Sequence, residues 1–224
     1  MHSEKRNLYE RVDRLRDSLN IPFNEPIDVI SLIESTSRID LEYLSFKTHG
    51  LCGVAMVGTK IDTIVLNSNR TPEEQNFDGA HELMHLYQHR NITQRFNCFS
   101  TKKPQQDSFL EWQANEGAAQ FLVPYQDFIP RFWDFFSTRR YVDDSDIRTT
   151  LAAYYGVTFQ VIRNRIDGLS YEIDQYNQGI PIREVKILSQ NQRKKLGIST
   201  TRCAATFSCT LAFKSSYFLN TSLK

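Results

Sequence analysis

Apolar residues Leu8, Val12, Leu15 and Leu19 recur every three or four positions among charged ones, which predicts an amphipathic helix over 4–19, closed by Asn20 and Pro22. A second helix is expected next, with Pro26 in its first turn and Ile27, Ile30, Leu32 and Ile33 on its buried side, until Ser35 to Ser37 break the stripe. From Arg38 the period shortens. The runs IDLEYLSF, GLCGVAMVG and DTIVLN, separated by Gly50 and by Gly58-Thr59-Lys60, predict three strands of a small antiparallel sheet. Thr71-Pro72-Glu73-Glu74 supplies an N-cap, a proline at the first helical position and acids on the helix dipole, opening a helix that runs to about Arg90. Residues 91–106 are polar, contain Pro104 and read as a loop, after which Asp107 caps a helix through Leu122 that Pro124 ends. Further helices are expected over Tyr125–Phe136, Ser145–Tyr155 and Thr158–Leu169, while beyond Arg183 the pattern fades into a tail expected to be poorly ordered or packed on something else.

These elements predict an α+β fold, mostly helical, with a small three-stranded antiparallel sheet preceding the helix that holds residues 81–85. The expected organisation is an N-terminal helix (1–25), a core (26–136), a helical extension (137–184) and a basic tail (185–224). With 224 residues and 40% hydrophobic content, the chain is long enough to bury a real core. Its formal charge of +1 argues against a uniformly polyanion-binding surface, although the tail has seven Lys and Arg and no Asp or Glu, leaving the body mildly acidic. Cys52, Cys98, Cys203 and Cys209 form no CxxC pair, so neither a zinc ribbon nor a disulfide framework is indicated and reduced thiols are expected. Without an apolar signal-peptide core or a spanning segment, the expected location is the cytoplasm, with no membrane partner.

The chemistry concentrates in HELMH. His81 and His85 are four residues apart, about 40° around a helix, so both imidazoles can meet one tetrahedral cation. Glu82, beside the first of them, can reach a water in the open coordination position and act as its base. A catalytic zinc site needs a third protein ligand, and Glu111 on the next helix is the expected one, with Asn115 one turn on able to accept the free N–H of a ligating histidine. Glu116 is the competing ligand, on a different face. His89 lies too far along the axis to join the same metal and is assigned a helix C-terminal role. Small residues Ala114, Ala118 and Ala119 would let the two helices approach closely. For the oxyanion, Tyr87, His89 and Tyr125 are open alternatives.

HELMH at 81–85, His89, and EWQANEGAAQFLVP at 111–124 together resemble the ImmA/IrrE metallopeptidases, over roughly residues 27–169. The resemblance implies thermolysin-like zinc ligation by His81, His85 and Glu111, with Glu82 as catalytic carboxylate. It further implies a protein substrate, a helix-turn-helix repressor of a phage or mobile element, held as an added strand along GLCGVAMVG or DTIVLN. The chain departs from the family pattern at Met84, where Gly is usual, and at Gly117, where Phe is usual.

The expected function is therefore zinc-dependent endopeptidase, with Zn2+ as cofactor. The alternative is a non-catalytic zinc-containing transcriptional regulator. LAAYYGVTFQVIRNRI, with Arg163 and Arg165, has a helix-turn-helix cadence that would serve such a role, but packing is the reading adopted for it and nucleic acid is the secondary expectation as partner.

Overall fold

The computed structural model describes residues 5–100, 106–138 and 144–198. Nine α-helices and four strands are present among them: α1 Lys5–Ser18, α2 Val29–Glu34, β1 Ile39–Leu44, β2 Leu51–Met56, β3 Asp62–Asn67, α3 Pro72–His89, β4 Arg95–Phe99, α4 Ser108–Leu122, α5 Tyr125–Thr138, α6 Asp144–Tyr155, α7 Phe159–Gly168, α8 Ser170–Asn177 and α9 Gln190–Lys195. The mostly helical α+β class holds.

Local chemistry explains most boundaries. α1 turns its Leu8 and Val12 stripe fully inward and stops where Asn20 takes φ +55°. α2 starts later than Pro26 suggests, because the Asp28 side chain accepts from the Ser31 N–H and serves as its N-cap. In α3, Thr71 and Glu74 form a reciprocal capping box, with Pro72 in the first turn. Asp107 accepts from the N–H groups of Phe109 and Leu110 at the start of α4.

The sheet differs from the sequence expectation. It has four strands in the order β1-β3-β2-β4, and β1 runs parallel to β3, while β2 pairs antiparallel with both β3 and β4. β4 falls in the stretch read as loop: it is five residues long, and only Phe96 and Cys98 turn inward, too brief an alternation to stand out. The two runs expected to offer a free edge, β2 and β3, are the inner strands; β1 and β4 are the outer ones. α3 lies across β2, β3 and β4, and α4 packs along α3.

One apolar cluster runs from Leu8 and Val12 of α1 through Ile64, Met84 and Phe121 to Ile173, Val185 and Ile187. The last two show that the chain beyond Arg183 is placed against the body as far as it is described, with α9 opened by a Ser189–Gln192 capping box. The rest of the basic tail lies outside the described residues. No helix among them is long and apolar enough to cross a membrane.

Candidate metal centre

α3 and α4 bring the expected residues together. His81 and His85 face the same way from successive turns of α3, with their Nε2 atoms 3.0 Å apart, and Glu111 from the first turn of α4 sets one carboxylate oxygen 3.5 Å from each. Donors held about 2.1 Å from a tetrahedral cation are roughly 3.4 Å from one another, so the spacing fits a single ion with three protein ligands.

The surrounding hydrogen bonds assign the histidine tautomers. Asn115 donates through its amide to the Glu111 carbonyl (2.9 Å), which turns its Oδ1 toward His81 Nδ1 at 3.2 Å. Only an Nδ1–H can satisfy that oxygen, so the neutral tautomer of His81 has its lone pair on Nε2. Gln113 Oε1 likewise accepts from His89 Nε2 (3.1 Å); His89 Nδ1 is then the acceptor for His85 Nδ1–H (3.0 Å), and His85 Nε2 is also bare. Two lone pairs 3.0 Å apart repel unless a proton or a cation lies between them, and that is the fit test for a metal at this point.

Charge supports the same assignment. Burial pushes His85 down to about 4 and lowers His89 as well, so both rings are neutral at pH 7, the form that ligates. Glu111, the third donor, turns one carboxylate oxygen to each of the two ring nitrogens, an arrangement of acceptors facing acceptors that a cation would reconcile. Phe96 of β4 stacks on the His85 ring, centroids 4.4 Å apart, and holds its plane.

Glu82 is fully buried, and its carboxylate has no well-formed hydrogen bond on either oxygen, only a weak contact with the Ala55 backbone. Burial, with Asp78 and Glu111 nearby, raises its pKa well above the ordinary carboxylate range. It can occupy this place because β2 has Gly53 there: a Cβ at Gly53 would stand 2.7 Å from Glu82 Oε1.

The reading of His89 changes, and the structure bears on two alternatives that the sequence left open. His89 is no helix cap; it is buried between His85 and Gln113, and its spacing one turn beyond His85 was the available signal. Glu116 is remote from this chemistry: it accepts from the Tyr9 hydroxyl and from Arg165 (3.3 Å). The oxyanion alternatives point elsewhere, since Tyr87 directs its hydroxyl to the Arg11 carbonyl (3.4 Å) and Tyr125 stacks on Tyr9. Sequence reasoning missed Gly53, Phe96 and Gln113, because each acts only through a contact made across elements.

The two departures from the family pattern meet each other. Gly117 of α4 faces Met84 of α3, and a Cβ on Gly117 would lie 3.1 Å from Met84 Cγ. The bulk has moved from one helix to the other across the same interface.

Beside the centre, a cleft of about 500 Å³ opens between β2, α3, β4, α4 and α7, lined among others by Cys52, Arg70, Asp78, Cys98, Trp112 and Asn115. Asp78 is buried, and burial raises its carboxyl to about 6 despite its ion pair with Arg70.

Comparison with known proteins agrees with this geometry. The chain is 28% identical over 118 residues to the uncharacterized protein YqaB of Bacillus subtilis (strain 168), an alignment spanning 53% of this chain and 58% of that protein. It therefore spans little more than half the length of that relative. A solved Mycobacterium tuberculosis transcriptional regulator superposes with a TM-score of 0.49 at 16% identity, covering 72% of this chain and 46% of that one, too distant a likeness to inform function. The IrrE N-terminal-like domain model of the Peptidase_M78 family matches residues 30–167, which include every ligand candidate, both helices that hold them and all four strands, and the chain belongs to this metallopeptidase-type family.

Proposed function

We propose that this protein is a zinc-dependent endopeptidase in which His81, His85 and Glu111 hold the metal and Glu82 is the catalytic carboxylate. The observation that supports it most is the pair of bare Nε2 atoms facing each other with the Glu111 carboxyl group beside both. Three ligands leave a tetrahedral ion one open position, the mark of a catalytic rather than a structural site. Zinc, when bound there, supplies Lewis acidity to a water and to a scissile carbonyl.

The chain's own residues do the rest. Glu82 takes a proton from the attacking water and returns it to the departing amide nitrogen. Its place one residue from His81, with no well-formed hydrogen bond on either oxygen, leaves the carboxylate free for that exchange. Gly53 keeps its place clear. β4, an outer strand that touches the centre through Phe96, is the edge on which an extended substrate can be added, in place of the inner strands that the sequence suggested. The substrate class proposed is a protein, with a helix-turn-helix repressor as the specific candidate.

Of the two arginines that the regulator alternative invokes, Arg163 is exposed, whereas Arg165 is buried and donates to Val123, Tyr9, Glu116 and Gln120 instead of facing a groove. The test is to compare cells expressing the wild-type chain with cells expressing Glu82→Gln by labelling newly created protein N-termini. New termini with the wild type alone, at equal zinc content, are expected; identical profiles from two zinc-loaded proteins would favour the regulator.

A further inference from the structure

The sequence reading treats the four cysteines as reduced structural thiols, but two of them meet. The β2–β4 register passes from Leu51–Phe99 to Gly53–Cys98, so two residues of β2, Cys52 and Gly53, stand against one residue of β4. Such a bulge upsets the strict alternation of side chains and brings the extra residue to the face of its neighbour. Gly53 faces Glu82, and Cys52 is thereby turned toward Cys98 instead of away from it. The two sulfurs and an Asp78 oxygen lie within 4.8 Å of one another, and the thiols hydrogen-bond to each other. Both cysteines line the cleft, which gives a small oxidant a route to them.

We propose that Cys52 and Cys98 are a reversible dithiol–disulfide pair, oxidised by hydrogen peroxide that enters through the cleft, in the wall of the metal centre. Cys98 Sγ lies within 4.8 Å of a His81 ring nitrogen and a Glu82 oxygen, so the bond forms at the edge of the chemistry described above. The pair does not depend on the peptidase reading, because its evidence is the bulge and the cleft.

The two cysteines are not equivalent. Accepting the hydrogen bond from Cys98 lowers Cys52 against burial and the Asp78 charge, with the Arg70 charge assisting, whereas donating that bond and being buried raise Cys98. Cys52 is therefore the attacking thiolate. Its sulfur forms an S–O bond as the peroxide O–O bond breaks, giving a sulfenic acid and releasing hydroxide, which takes up a proton to become water. Cys98 then attacks the Cys52 sulfur: the S–S bond forms, the S–O bond breaks, and the second oxygen leaves as water with the Cys98 proton. Two thiols lose two electrons and the peroxide is reduced to two waters. A competing use of the cluster as a cation site is disfavoured by the Arg70 guanidinium, which already neutralises Asp78.

The experiment uses the full zinc-loaded chain carrying Cys203→Ser and Cys209→Ser, so that Cys52 and Cys98 are its only thiols. Hydrogen peroxide is expected to abolish both alkylatable thiols, to reduce the intact mass by two hydrogens and to yield a proteolytic peptide joining β2 to β4, all reversed by dithiothreitol. Adding Cys98→Ser should leave a Cys52 sulfenic acid that dimedone traps. Two thiols that stay alkylatable after peroxide, a cross-link only between different chains, or a second equivalent of metal that disappears with Cys52→Ser would each overturn the proposal.

Discussion

At the level of single residues, the metal centre depends on which nitrogen of each histidine holds a proton. Asn115 settles this for His81 across one contact, and Gln113 settles it for His85 through His89. His89 thus positions a ligand that it does not itself resemble in role. Replacing it with Ala frees the His85 ring to rotate or to change tautomer, and leaves the Gln113 oxygen unpaired. The expected result is a fall in zinc affinity of about 10- to 100-fold, measured by competition with a chromogenic chelator, with the protein still folded. An unchanged affinity would show that Phe96 stacking alone fixes the ring.

Among the elements, the α3–α4 interface places all three ligands, and its closeness rests on Gly117 opposite Met84 together with the buried Ala114 and Ala118. Met84→Gly should cost about 3–5 kcal/mol through the cavity and the added helix flexibility, and Gly117→Phe should also destabilise, by overpacking. Combined, the two changes are expected to cost at least about 1 kcal/mol less than their sum in urea unfolding, since each makes room for the other. Strict additivity would mean that the residues do not compensate. The helices were legible in the sequence because capping residues and 3.6-residue periodicity are local: Thr71, Glu74 and Asp107 each do what their position suggests. The sheet was only partly legible. Alternation marks a strand but not its neighbour, so nothing in IDLEYLSF shows that it passes over β2 to pair parallel with β3. β4 has two inward residues in five, and Gly53 against Glu82 is a meeting of distant segments that no local pattern records. The meeting of His81, His85 and Glu111 was legible for the opposite reason, since a shared site would fix their spacing along two helices.

For the molecule as a whole, a buried polar cluster joins segments outside the family-matched region to those within it. Tyr9 of α1, Glu116 and Gln120 of α4 and Arg165 of α7 are bonded together, and Lys5 adds Glu172 of α8 at 3.2 Å. Arg165→Met would take one donor each from the partly exposed Glu116 carboxylate and from the buried Gln120 oxygen and Val123 carbonyl. A loss of about 3–5 kcal/mol in unfolding free energy is expected, and a change below about 1 kcal/mol would contradict a structural role for that arginine. The same arrangement decides the most direct test of the account, because it separates the two carboxylates that the sequence left in competition. In the proposed reading Glu116 supports the fold and Glu111 holds the metal. Elemental analysis of the purified chain and of its Glu111→Ala, Glu116→Ala and Glu82→Gln variants, expressed per folded chain, should find about one zinc in the wild type, in Glu116→Ala and in Glu82→Gln, and little or none in Glu111→Ala. Zinc kept by Glu111→Ala and lost from Glu116→Ala, or no zinc bound in zinc-replete conditions, would contradict it.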